Sequence, residues 1–118
     1  MPKRSMEILT ETMFYVLMAL NSGDKCGTDI AAFVSKRTAG RVTLGPATLY
    51  TILSKFESEQ YIREVAVEGR KRTYTLTPAG AGAYRDELER LRICIADAEK
   101  GADYDTATDQ TLCPLPAR

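Results

Sequence analysis

The sequence predicts a mainly α-helical fold with a small β-hairpin. Apolar residues recur at helical spacing in several separate stretches, and two short alternating segments flank Glu68-Gly69-Arg70-Lys71. The 118 residues also suffice for one domain with an appended helix and tail, but not for a second independent domain. Sixteen basic and sixteen acidic residues cancel, so composition alone does not announce a nucleic-acid protein. The charge is unevenly placed, however. Residues 36–72 carry eight Lys or Arg (Lys36, Arg37, Arg41, Lys55, Arg63, Arg70, Lys71, Arg72) against four acids (Glu57, Glu59, Glu64, Glu68), and acids gather toward the C-terminus. Such a local basic face attracts phosphate, because the field that matters acts within a Debye length of about 10 Å.

In chain order, Lys3 and Arg4 make a basic lead that is either a solvated terminus or an arm touching a DNA backbone. A helix is expected from about Thr10, with Leu9, Met13, Val16, Leu17 and Leu20 on one side and Asn21-Ser22-Gly23-Asp24 closing it. Phe14, Tyr15 and Met18 fill its other faces. A helix apolar around most of its circumference needs cover on two sides, from its own core and from a second subunit. A second helix, over residues 27–38, turns Ile30, Phe33 and Val34 inward, puts Lys36 and Arg37 in its last turn, and stops at Gly40. Val42 and Leu44 alternate around Thr43 and suggest a very short strand.

The stretch over residues 45–62 organises the chain. Leu49, Ile52, Leu53 and Phe56 fall at i, i+3, i+4 and i+7, and Pro46 suits the first helical position, where its missing N–H costs nothing. The opposite face offers Thr48, Thr51, Ser54, Lys55 and Ser58. Small hydroxylated and basic side chains let a helix enter a major groove, and an ordinary amphipathic helix is the plainer reading of the same pattern. Two strands follow, over residues 62–67 and 72–76. Val65 and Val67 alternate with polar neighbours in the first, as Tyr74 and Leu76 do in the second. Three helices and then a hairpin with a basic tip is the order of a winged helix-turn-helix, in which the third helix reads a groove and the hairpin lies along neighbouring backbone. This context favours DNA contact by Arg70, Lys71 and Arg72 over a merely solvated turn.

Thr77 and Pro78 are expected to open a last helix over residues 78–101, with a seam of Tyr84, Leu88, Leu91, Ile95 and Ala98 at coiled-coil-like spacing. Gly80 and Gly82 weaken its first turns by about 1 kcal/mol each relative to alanine, so tertiary contacts must hold them. Residues 102–118 lack periodicity and read as a disordered tail. The expected division is thus a DNA-binding domain over 1–77, a C-terminal helix over 78–101 and a tail over 102–118.

Three motifs in collinear order then carry a family likeness: residues 9–17 (LTETMFYVL), residues 45–50 (GPATLY) and residues 69–80 (GRKRTYTLTPAG). Together they resemble the PadR family of bacterial transcriptional regulators, in its compact branch. The resemblance implies a homodimeric winged helix-turn-helix repressor, dimerised through the C-terminal helix and the partner's first helix, that binds operator DNA and is released by a small, often aromatic, effector. Carried onto matching positions, Thr48, Tyr50, Thr51 and Lys55 contact DNA from the reading helix and Arg70, Lys71 and Arg72 from the wing. Pro46 completes the expected DNA-facing set. Tyr50 has two readings, a direct contact or a packing residue whose hydroxyl points at a phosphate. The expected dimer interface is Phe14, Tyr15, Met18, Tyr84, Leu88, Leu91 and Ile95. Phe14, Tyr15 and Met18 have a second reading, as the lining of an effector pocket. The chain has no tryptophan, so the ligand-stacking tryptophan of multidrug-binding relatives is missing.

Other classes find little support. With no histidine there is no imidazole base or histidine-containing metal site, and no carboxylate cluster or phosphate-cradling glycine loop replaces them. Neither an enzyme nor a cofactor or metal is expected. Cys26, Cys94 and Cys113 lack metal-type spacing and read either as incidental thiols or as a redox switch with an intersubunit bridge at Cys113. The longest apolar-leaning run, residues 13–20, is far short of a membrane span, so a cytoplasmic protein is expected. A winged helix used only for protein contacts is the alternative. It would more often show exposed aromatics where this chain shows cations and hydroxyls.

Overall fold

The computed structural model describes residues 9–108, with side chains as far as residue 100. The basic lead, Cys113 and the tail beyond residue 108 lie outside the described residues. Two compact units divide the chain, Met1–Glu87 and Leu88–Arg118.

The first unit opens with α1 (Glu11–Asn21), capped by the Thr10 hydroxyl, which accepts from the Met13 amide at 3.1 Å. Leu9 precedes the helix and packs against the core. A two-residue strand β1 (Lys25–Cys26) runs directly into α2 (Gly27–Arg37). That helix ends in a Schellman turn: Gly40 N–H bonds to the Ser35 carbonyl at 2.7 Å and Ala39 N–H to Lys36 at 3.2 Å, with Ala39 and Gly40 at φ 53 and 80. After the turn come α3 (Pro46–Ser58), the strands β2 (Ile62–Glu68) and β3 (Lys71–Leu76), and α4 (Pro78–Thr108).

Packing explains why α3 stands as it does. Leu49, Ile52, Leu53 and Phe56, its apolar stripe, are all buried in one cluster with Val16, Leu17, Leu20, Ile30, Val34, Ile62 and Tyr74. Full burial of such a side chain is worth about 1.5–3 kcal/mol, so the stripe fixes which way the helix faces. Its exit repeats the Schellman pattern. Tyr61 N–H bonds to the Phe56 carbonyl, Gln60 sits at φ 65, and the Phe56 and Tyr61 rings lie 5.9 Å apart, the apolar contact that accompanies this cap.

The sheet order is β1-β3-β2, antiparallel throughout. Its hairpin closes through Gly69-Arg70, with Gly69 at φ 63, the first central position where a type II′ turn requires positive φ. Three expectations need correction here. No strand forms over residues 42–44. Val42 and Leu44 pack against the core as loop residues, and the Thr38 hydroxyl, accepting from Val42 N–H at 3.0 Å, supplies the partner a strand would have offered. The extra strand is instead β1, whose Lys25 and Cys26 pair with Tyr74 and Thr73, supported by a 2.6 Å bond from the Thr75 hydroxyl to Asp24. The third correction concerns Val65 and Val67, which are 42% and 52% exposed rather than half-buried. A register shift between Glu64 and Ala66 breaks the alternation at that point, and the hairpin beyond it has no core to meet.

At the head of α4, the Thr77 hydroxyl accepts from Gly80 N–H at 3.0 Å and donates to the Gln60 carbonyl at 2.6 Å, while Thr77 N–H bonds to Tyr61 at 2.9 Å. A Cβ at Gly80 would overlap the Tyr61 carbonyl oxygen, so this close approach is what the glycine permits. In the second unit α4 continues to Thr108, past the expected end at Gly101. Residues 102–108 contain no proline, and a single glycine lowers helix stability without ending it.

Candidate nucleic-acid interface

Burial of the α3 stripe leaves Pro46, Thr48, Tyr50, Thr51, Ser54, Lys55 and Ser58 exposed. Thr51 spends its proton on the helix itself, bonding to the Ala47 carbonyl at 2.9 Å, so only its oxygen lone pairs face outward. In the wing, Arg70, Lys71 and Arg72 are exposed, and Arg72 donates to Glu64 at 3.1 Å. Val67 stands opposite Arg72 in the ladder.

The reading helix and the wing meet at one place. Tyr50, Arg70, Lys71 and Arg72 line a cleft of about 330 Å³, whose other walls are Cys26, Gly27 and Thr28 at the start of α2. Tyr50 is 49% exposed, and its hydroxyl rests against Gly27. Pro46, Thr48, Thr51 and Lys55 do not line this cleft. They occupy the remaining outer surface of α3. Sequence reasoning missed Gly27, Thr28 and Glu64; a glycine at the head of an otherwise ordinary helix is the one signal that pointed there.

Next to the interface, burial pushes the Tyr74 hydroxyl above the usual tyrosine value; the Glu57 carboxylate adds to the shift and Arg72 opposes it. Across the turn that leads into α3, Arg41 donates to Glu11 at 2.9 Å and to the Tyr15 hydroxyl at 3.0 Å. The bond to Glu11 holds its guanidinium more firmly protonated than usual.

The residues expected at a dimer interface fall into two groups. Phe14 and Tyr84 stack within one chain at 5.3 Å, and Tyr15 and Met18 are half-buried. In the second unit Leu88 and Leu91 are half-buried and Ile95 is 57% exposed. Cys26 is a buried free thiol and Cys94 an exposed one. Among the described residues there is no cluster of potential metal ligands, and no helix is long and apolar enough to cross a membrane.

A three-stranded sheet with its hairpin wing beside a packed third helix defines a winged helix-turn-helix protein. The family model described as "Transcriptional regulator PadR-like family" matches residues 16–86, and the chain belongs to that family of transcriptional regulators, whose members are not enzymes. A transcriptional regulator from Clostridium thermocellum is 26% identical, with 75% of this chain and 89% of that one covered at a TM-score of 0.66. A PadR family regulator from Clostridium difficile shares the fold at 18% identity, with 79% and 99% covered and a TM-score of 0.67. Bacillus subtilis PadR, solved in complex with operator DNA, shares it at 24% identity, 67% and 47% coverage and a TM-score of 0.59. A 37.1 kDa protein from a Streptomyces fradiae transposon is 38% identical over 80 residues, which span 68% of this chain and 21% of that relative's length.

Proposed function

We propose that this chain is a homodimeric, sequence-specific DNA-binding repressor. Each α3 enters a major groove, with Thr48, Tyr50, Thr51 and Lys55 toward base edges and phosphates and Pro46 at its leading end. Each wing applies Arg70, Lys71 and Arg72 to neighbouring backbone. The observation that carries this reading is the cleft where Tyr50 of the reading helix and the three wing cations face one another. A reading helix gains specificity by pairing across two half-sites about one helical turn apart. The seam of Leu88, Leu91 and Ile95 on the C-terminal helix of one copy packs on Phe14, Tyr15 and Met18 in the first helix of the other. A small aromatic effector entering beside those α1 residues releases the DNA, and the protein acts in the cytoplasm.

Footprinting on DNA flanking the gene, with and without planar aromatic compounds, tests the reading. The expected result is protection of two half-sites on one face of the duplex, lost when an effector binds. Absence of protection on any flanking segment, or a monomer in sedimentation at micromolar concentration, would count against it.

A further inference from the structure

The floor of the cleft holds a residue that DNA contact by itself does not explain. Gly27 is the first residue of α2, with Cys26 as N-cap, and its backbone is not left-handed. Conformation therefore does not call for glycine there, and glycine is the poorest helix former after proline. Tyr50 does call for it. A Cβ on residue 27 would lie 2.8 Å from the Tyr50 Oη, so the tip of the ring must shift, and 3.2 Å from its Cζ, which must give by a few tenths of an ångström. The neighbouring Leu49 Cδ2, at 3.4 Å, would need almost no adjustment. The glycine thus bears mainly on where the tyrosine ring lies.

We propose that Gly27 is a positioning residue for DNA binding. Its missing side chain lets the Tyr50 ring lie against the start of α2, which keeps the hydroxyl in the cleft with Arg70, Lys71 and Arg72. One backbone phosphate is gripped there, the Tyr50 O–H donating to one oxygen while a wing cation holds another, and the remaining wing cations take neighbouring phosphates. A tyrosine held in place by contact loses little rotamer freedom on binding, so its hydrogen bond is gained at low entropic cost. The inference deepens the DNA-binding reading and rests on it.

The test uses the full chain and a duplex from the flanking DNA that the wild type retains in a gel shift. Binding is titrated by fluorescence anisotropy at several salt concentrations for wild type, G27A, Y50F, Y50A and the G27A/Y50A pair. The expected result for G27A is a loss on the order of tenfold in affinity, the size of one charge-assisted hydrogen bond, with no fall in melting temperature, since alanine suits a helix better. Y50F should lose about as much. In the Y50A background G27A should change affinity less than about twofold, because no ring remains to be displaced. Should G27A melt too low to assay, recovery of its melting temperature in the double variant supports the contact, and persistence of the loss overturns it. G27A binding like wild type, or losing as much with Tyr50 already removed, also overturns the proposal. A wild type that retains no flanking duplex is a different result, which defeats the DNA-binding reading itself and this inference with it.

Discussion

In α3 the four stripe residues Leu49, Ile52, Leu53 and Phe56 are at most 6% exposed, whereas in the wing every residue from 65 to 72 is exposed. Both regions offer polar chemistry to solvent, hydroxyls with Lys55 on α3 and cations in the wing, yet they are held differently. The outer face of α3 is fixed by what lies beneath it, so damage to the core should abolish its chemistry together with the fold. The wing is held by its ladder, one tight turn and the pair of Arg72 with Glu64. Its side chains can change without the fold taking notice.

The sharpest way to break this contrast is Phe56→Ala. Phe56 is fully buried, so its truncation should cost about 3–5 kcal/mol and unfold much of the protein, measured by urea denaturation. Replacing Arg70, Lys71 and Arg72 together by alanine should leave the urea midpoint within about 0.5 kcal/mol of wild type. The same variant should flatten the slope of log affinity against log salt by about three per subunit. A midpoint that fell with the slope would show the wing to be part of the core. Gly80→Ala probes the joint between the two regions, where the α3 exit, β2 and the head of α4 converge. Overpacking against the Tyr61 carbonyl should cost about 1–3 kcal/mol. The smallest change is expected from Glu64→Gln. This partly exposed pair should contribute less than about 1 kcal/mol to folding. Releasing Arg72 and removing a carboxylate from the wing should tighten DNA binding a few-fold at low salt.

Alkaline pH separates the two regions in another way. Tyr74 holds its proton more tightly folded than unfolded, so its contribution is fully present below the ordinary tyrosine value near 10 and is lost as pH rises through the higher folded value. Tyr74→Phe should therefore lose less stability than wild type above pH 10 in a melting series. Arg70→Ala, which leaves Arg72 and Glu64 beside Tyr74 in place, should follow the wild-type curve.

The contrast also explains what could be read from the sequence. The stripe of α3 announced itself because burial demands a fixed spacing, and Gly69 with its basic neighbours announced the turn. The strand β1 gave no signal, since two residues carry no period and their partners lie 47 or more positions away. Val65 and Val67 misled because a bulge resets the alternation and the hairpin tip has nothing to pack on. Of the candidate site, Tyr50 and the wing cations were legible as residue types. Their meeting over Gly27 was not, because a contact between helix starts that are nineteen positions apart leaves no local pattern.

Arg41 gives ionic strength a second point of attack. The turn that delivers the chain to α3 is tethered to α1 by this guanidinium, through an ion pair whose side chains are 58% and 59% exposed. Mobile ions that compete for phosphates will compete here as well. The steepness of a salt titration then counts more than released counterions, since part of it records a loosened approach to the groove. Glu11→Gln, which removes the ion pair but no cation and leaves the bond to Tyr15, should make the titration shallower by that ionic part alone.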